Sequence, residues 1–250
     1  MKIKRPFALS IAGFDPSGGA GVTADIKTFE ALRVQGLGVC TALTYQNEGE
    51  FDGLEWMTFP QLKLQLEPLL RRYPVEVVKI GLVQNLEVLH ELVELLRQYH
   101  PGIRIVWDPI LKASAGFTFH EQVDRQQLEA LCQKLYLVTP NWLEMEQLVS
   151  GIPAPEGAAF LSQHCQVLLK GGHNEDRKGY DYLYSKGEAQ AFRPRQVMAH
   201  PKHGSGCVLS AAVVAQVAHG YALPKACLRA KTYVSRFLSS NPSLLGYHKF

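Results

Sequence analysis

No apolar run in this chain of 250 residues is long enough to cross a membrane, and no cleavage pattern follows the opening Met1-Lys-Ile-Lys-Arg-Pro-Phe7. A soluble, cytoplasmic protein is therefore the expectation. No CxxC and no Cys/His spacing of the zinc type occurs. The five cysteines, at 40, 132, 165, 207 and 227, are odd in number and scattered, which points to free thiols in a reducing compartment. No basic run dominates: the formal net charge is +3, and the densest cationic stretches are Lys2-Ile-Lys-Arg5 and Arg71-Arg72, so no nucleic-acid partner is expected. Gly-x-Gly-x-x-Gly, the Gly-x-x-x-x-Gly-Lys-Ser/Thr loop and the protein-kinase signature set are all missing. So are internal repeats, low-complexity stretches and any linker that would divide the chain. What is present is globular: 46% hydrophobic and 20% charged residues, over a length that one domain spanning 1–250 can hold.

The periodicity predicts an alternation of strands and helices. Phe7–Ala12 reads as a buried strand that stops at Gly13, and Gly13–Gly21 as a glycine-rich loop before a helix over Val22–Val34. Strands follow at Leu37–Tyr45, Val75–Ile80, Ile103–Trp107, Leu135–Val138 and Val167–Lys170. Helices are predicted at Pro60–Tyr73, Asn85–Tyr99 and Gln122–Lys134, with Glu48–Thr58 as a polar loop. Gly179–Tyr184 and Ala189–Phe192 read as a hairpin turning at Lys186-Gly187. Two helices close the chain, Gly206–His219 and Pro224–Ser239, before an irregular tail. This rhythm implies an α/β fold: a mostly parallel sheet with helices on both faces and an antiparallel edge.

The most informative stretch is His203-Gly-Ser-Gly-Cys-Val-Leu-Ser-Ala-Ala212, a Gly-Ser-Gly turn that runs straight into a helix of small apolar residues. Helix N-termini present unpaired N–H groups and the positive end of the macrodipole, so Gly204, Ser205 and Gly206 form a candidate anion pocket. Cys207 falls in the first turn, where a thiol is expected to have a lowered pKa. Taken alone, the stretch fits a plain glycine turn opening a core helix better than it fits a catalytic site. Four more polar groups sit at ends of predicted strands: Gln46, Asp108, Asn141 with Glu144, and Lys170 with Gly171-Gly172. Each has a structural reading, such as a capping box for Asn141 and Glu144. In a parallel sheet, however, all these ends converge on one edge. Asp108 and Glu144 are hard oxygen donors of the kind Mg²⁺ takes, while Lys170 and the glycines suit nucleotide phosphates. The set therefore points to phosphoryl transfer.

Here the chain resembles the hydroxymethylpyrimidine/phosphomethylpyrimidine kinases of thiamine biosynthesis, within the ribokinase superfamily. The resemblance is carried by Ile11-Ala-Gly-Phe-Asp-Pro-Ser-Gly-Gly-Ala-Gly21, Ala24-Asp25-Ile-Lys-Thr28, Thr41-Ala-Leu-Thr-Tyr-Gln-Asn47, Lys79-Ile-Gly-Leu82, Asp108-Pro-Ile110, Thr139-Pro-Asn-x-x-Glu144, Lys170-Gly-Gly-His173 and His203-Gly-Ser-Gly-Cys207. It implies a ribokinase-like three-layer sandwich. It also implies ATP- and Mg²⁺-dependent phosphorylation of a pyrimidine hydroxymethyl group, then of the monophosphate. By the resemblance, Asp25 and Gln46 hydrogen-bond the aminopyrimidine, with Gly13 and Leu82 beside it. Asp108, Asn141 and Glu144 organise Mg²⁺ and phosphates, with Asp108 and Glu144 as the metal contacts. Lys170, Gly171 and Gly172 lie near the nucleotide, Gly204–Gly206 form the anion hole, and Cys207 takes the catalytic place. The partners implied are small molecules, with a homodimer left open by the superfamily's habit of dimerising.

Five departures accompany the resemblance, one of them Ser205 in place of the usual threonine, which keeps the hydroxyl. Phe14 stands where the family more often has a small polar residue, which would alter the pocket entrance. The lysine expected soon after Asp108 is displaced to Lys112. Leu82 replaces a frequent methionine. Lys202 replaces a threonine before His203 and reads either as positive charge near the phosphates or as a surface residue. Two competing readings stay open: a pyridoxal- or pyridoxine-type kinase of the same fold, and a non-catalytic pyrimidine-binding regulator.

Overall fold

Six strands run parallel at the centre of the molecule and three antiparallel strands finish its edges. The structure, a computed structural model, describes residues 5–111, 124–174, 177–194 and 200–248. The strands are β1 (Phe7–Phe14), β2 (Gln35–Gln46), β3 (Phe51–Trp56), β4 (Val77–Ile80), β5 (Arg104–Trp107), β6 (Leu137–Val138), β7 (Gln166–Leu169), β8 (Asp181–Ser185) and β9 (Glu188–Phe192). They form one sheet in the order β3-β2-β1-β4-β5-β6-β7-β8-β9. β3 pairs antiparallel with β2, and the β8–β9 hairpin continues antiparallel from β7. The strand order reverses between β1 and β4, the position at which open α/β sheets bind ligands.

Two apolar cores define three layers. On one face lie α2 (Phe59–Arg72), α3 (Leu86–Tyr99), α4 (Arg125–Cys132), α5 (Trp142–Leu148) and α6 (Ala154–Leu161). On the other lie α1 (Gly21–Ala31), α7 (Ser205–Ala218) and α8 (Leu223–Leu238). Amphipathic spacing explains α3, whose Leu89, Leu92, Val93 and Leu96 all face the sheet and are buried. In α7, every residue from Cys207 to Val217 is buried, because the sheet, α1 and α8 enclose it. A helix apolar all round is a buried helix.

The expected elements recur within a few residues of their predicted bounds, apart from two differences. Glu48–Thr58 reads as a loop, yet it holds β3. Gly53 breaks the alternation of Phe51-Asp-Gly-Leu-Glu-Trp56, so only pairing with Ala42–Gln46 of β2 recruits this segment as an edge strand. The helix α6 is not legible, because Gly151-Ile-Pro-Ala-Pro-Glu-Gly157 has turn composition. Proline is tolerated in a first helical turn, and Gly157 packs closely on α5: a Cβ there would come within 3.2 Å of Met145 Sδ.

Candidate functional site

The carboxyl ends of the parallel strands open into a cavity of about 1460 Å³. Gly13 near the end of β1, Thr44 and Gln46 on β2, and Leu82 after β4 line one end. Asp108 after β5, Asn141 and Glu144 after β6, and Lys170 after β7 line the middle. Gly172, Leu209, Val234 and Leu238 supply a further, more apolar wall. The turn Gly204–Cys207 closes over this row.

That turn has one conformation available to it. Gly204 is the N-cap of α7 at φ +69°, in the left-handed region, and a Cβ there would lie 2.1 Å from the carbonyl oxygen of Gly19. No side chain caps the helix; the Ser205 N–H donates to the Lys202 carbonyl at 3.4 Å, which leaves the Gly206 and Cys207 N–H groups for a ligand. The turn is also stitched to the glycine-rich loop. His203 Nε2 lies 2.8 Å from Asp15 Oδ2, and Asp15 accepts hydrogen bonds from the Ser17 and Ala20 N–H groups. Burial pushes the Asp15 carboxyl up, but His203, Ser17 and the Ala20 amide outweigh it and hold it below the ordinary value. The tail after α8 joins the same clamp, where the Leu244 carbonyl accepts from the His203 N–H at 2.9 Å.

Beneath the turn runs a buried chain of alternating charge. Lys79 Nζ lies 2.5 Å from Asp25 Oδ1, 3.4 Å from the Cys207 carbonyl and 3.9 Å from Asp108 Oδ2. Asp108 accepts from Lys170 Nζ at 2.6 Å, from Ser210 Oγ at 2.8 Å and from Thr139 Oγ1 at 3.1 Å. Lys170 also lies 3.5 Å from Glu144 Oε2. Burial would lower the Lys79 and Lys170 values, but the carboxylates around them raise both. For Asp108 the burial penalty is outweighed by Lys170 and Lys79, and the carboxyl stays ionised. Glu144 goes the other way: burial, helped by Asp108 and opposed by Lys170, pushes it up to about 7.

The sequence pattern of the phosphomethylpyrimidine kinase family matches residues 15–249. The chain belongs to that family. A hydroxymethylpyrimidine/phosphomethylpyrimidine kinase of Staphylococcus aureus (strain MRSA252) is 31% identical over 252 residues, covering 97% of this chain and 91% of the relative. The Escherichia coli (strain K12) kinase of the same description is 33% identical over 222 residues, covering 85% and 83%. Among solved structures, a phosphomethylpyrimidine kinase from Clostridium difficile 630 superposes with a TM-score of 0.77 at 31% identity, covering 93% of this chain and 99% of that one. A Staphylococcus aureus pyridoxal kinase in complex with ADP superposes with a TM-score of 0.81 at 25% identity, covering 95% and 89%.

For a member of this family, most of the residues singled out in the sequence do meet at one site. Gly13, Gln46, Leu82, Asp108, Asn141, Glu144, Lys170, Gly172 and Gly204–Cys207 all line the cavity. Asn141 and Glu144 also realise their structural alternative. Asn141 accepts from the Glu144 N–H, and Glu144 returns the bond to the Asn141 N–H, which makes a capping box at α5. Gly171 is set back from the wall. Its N–H donates to Asp181 Oδ1 at 2.9 Å, and a Cβ would strike the Tyr180 carbonyl.

Three expectations need correction. Cys207 lies in the first turn of α7 as expected, but its thiol is not acidified. Burial, opposed by Lys79 and reinforced by Asp108 and Asp25, pushes it up to about 11. Asp25 does not line the cavity; it is fully buried, with one oxygen taken by Lys79 and the other by Ser10 Oγ at 2.6 Å. Phe14 is not among the residues that line the cavity; its backbone pairs with Leu43 of β2 and its side chain is 40% exposed. Lys112 lies outside the described residues.

Sequence reasoning left Lys202 open, and the structure puts it in the cavity lining with its ammonium spent on the tail. Its ammonium is buried against the tail, donating to the Asn241 carbonyl at 2.5 Å, Asn241 Oδ1 at 3.2 Å and the Ser243 carbonyl at 2.5 Å. Lys202 thus anchors the tail beside the anion turn. Lys202→Met strands those acceptors at a cost of about 1–3 kcal/mol. The expected outcome in a thermal melt is a midpoint lowered by about 5 °C. Reasoning also missed Lys79 and the Asp15–His203 pair. A lysine inside the apolar run Val75-Glu-Val-Val-Lys-Ile80 was the available signal, since a lysine is buried only with a partner.

Proposed function

We propose that the protein phosphorylates 4-amino-5-hydroxymethyl-2-methylpyrimidine from ATP, and then its monophosphate, giving the pyrophosphate used in thiamine biosynthesis. The convergence of a polar end with Gln46 and Thr44, a lysine–carboxylate centre and a helix N-terminus with no side-chain cap in one cavity carries this reading. The names of the family and of its relatives support the substrate class, and the ADP complex of the pyridoxal kinase supports the nucleotide. A cavity of about 1460 Å³ has room for both reactants at once.

The substrate hydroxyl attacks the γ-phosphorus. A new O–P bond forms, the bond to the β,γ-bridging oxygen breaks, and ADP leaves. The transferring group carries its charge on three oxygens, which the Gly206 and Cys207 amides at the start of α7 would hold. Lys170 neutralises phosphate charge beside Asp108. Cys207 receives the hydroxyl proton at Sγ, in its thiolate form. Gln46 and Leu82 hold the ring.

Mg²⁺ fits this donor set in one way. Asp108 and Glu144 are hard oxygen donors, but Lys170 lies between them, at 2.6 Å and 3.5 Å. Among the described residues no cluster of three or more metal-ligating side chains occurs. The site therefore suits an ion that arrives on the nucleotide phosphates and meets Asp108 and Glu144 at its edge. When bound, such an ion supplies charge neutralisation for the phosphates.

The test is ATP consumption with the hydroxymethylpyrimidine, its monophosphate and pyridoxal offered separately. Turnover with both pyrimidines, at least tenfold above pyridoxal, is the expected outcome. Pyrimidine binding without ADP release would instead leave a regulator, and a preference for pyridoxal would reassign the substrate.

A further inference from the structure

Thr44 and Gln46 lie two residues apart on β2 and face the cavity together, while Tyr45 between them points to the other face and is 46% exposed. Thr44 is buried at 3% exposure and its hydroxyl makes two hydrogen bonds. Thr44 Oγ1 donates to the Phe14 carbonyl at 2.8 Å, and Gln46 Nε2 donates to Thr44 Oγ1 at 2.8 Å. A hydroxyl has a single proton. With that proton on the Phe14 carbonyl, Oγ1 can only accept from its other neighbour. The atom of the Gln46 amide that faces Thr44 must then be its nitrogen, and Oε1 is turned to the cavity as an acceptor.

The two ends of this relay are themselves fixed. Phe14 is held in register with Leu43 of β2, after a local shift in the pairing between Ala12 and Phe14. Gln46 sits at a second irregularity, where β2 shifts its pairing with β3 between Tyr45 and Gln46. Both bends fall at the pocket end of the sheet, so backbone geometry fixes the Phe14 carbonyl and, through Thr44, the polarity of the Gln46 amide.

We infer that Thr44 is a specificity-determining positioning residue. By fixing which way round the Gln46 amide lies, it makes the site take a ring with an exocyclic N–H donor. A ring with a carbonyl in that place would set oxygen against oxygen. This rests on the pyrimidine-kinase reading above, which says only that Gln46 meets the ring.

The experiment compares binding of two ligands to the full chain by calorimetry: the 4-amino-5-hydroxymethyl-2-methylpyrimidine and its 4-oxo counterpart. Wild-type protein is expected to favour the amino ring by about 50-fold, on the scale of a polar group left facing a like partner. Thr44→Ser keeps the hydroxyl and is expected to keep that ratio. Thr44→Val keeps the shape and loses the relay, so the amide is free to rotate, and the ratio is expected to fall below about fivefold, chiefly through tighter binding of the oxo ring. A purely structural role would weaken both rings together and leave the ratio alone. A full ratio in a folded Thr44→Val protein overturns the inference, and so does a wild-type ratio near one, whatever the variants do. Wild-type protein that binds neither ring brings down the pyrimidine-kinase reading itself, and this inference with it.

Discussion

Replacing Cys207 by alanine is expected to lower turnover about a thousandfold while pyrimidine affinity stays within threefold, because only the proton-transfer step is removed. The reason for so clean a separation is positional. The anion-binding amides belong to the backbone at the start of α7, where Gly204 and the His203–Asp15 clamp set their geometry, while the thiol's own backbone contact is with Gly21. The ring contacts come from β2 and from Leu82, on other elements. The pH dependence is the sharper test. Burial, with Lys79 opposing it, puts the Cys207 thiol at about 11, so at neutral pH the thiol is protonated. The thiolate fraction, and with it kcat/KM, is then expected to rise about tenfold per pH unit between pH 7 and 9, without levelling near the ordinary thiol value. The alanine variant is expected to lose that slope. A wild-type profile flat across the same range would take the thiolate out of the reaction.

Lys79→Met is expected to be the most damaging single change to stability. It removes the only cation within ion-pair distance of Asp25 among the described residues, where both side chains are fully buried. Breaking a buried pair from one side costs about 3–5 kcal/mol, because a charge is left without compensation. For a chain of this size the thermal midpoint should fall by roughly 10 °C. Turnover should fall as well, since Lys79 also holds the Cys207 carbonyl from below. Pairing the change with Asp25→Asn removes the stranded charge and is expected to restore most of the midpoint. A Lys79→Met protein melting within about 2 °C of wild type would show that Asp25 is neutral in the folded state.

The similarity to pyridoxal kinases bears on how function is read from this fold. The pyridoxal kinase superposes slightly better than the phosphomethylpyrimidine kinase, at TM-scores of 0.81 and 0.77, although it is less identical in sequence. The backbone of the sandwich therefore does not choose the ring. On the reading proposed above, the choice falls to side chains at the β2 end of the cavity, where turning over the Gln46 amide would exchange a donor for an acceptor.

Much of the site was legible before the structure because parallel sheets obey a strong rule. Once Phe7–Ala12, Leu37–Tyr45 and the later apolar runs are read as parallel strands, their carboxyl ends must share an edge, and Gln46, Asp108, Asn141 and Lys170 must meet there. The glycine turn before Cys207 was legible only through that row: taken alone it reads as a plain turn opening a core helix, and the polar strand ends that share its edge make it an anion pocket. The edge strand β3 and helix α6 were not legible, because neighbours rather than their own composition form them.

The sequence by itself determined the alternation of strands and helices, the cavity edge and most of the residues on it, because periodicity and chain direction are local properties. Only the tertiary structure decided the electrical state of those residues. Burial made the Cys207 thiol weakly acidic where a helix N-terminus alone would have made it reactive. Burial also drew Asp25 away from the cavity and into a pair with Lys79, 54 residues distant in sequence. Desolvation and charge pairing depend on what surrounds a group in three dimensions, and no spacing along the chain encodes that.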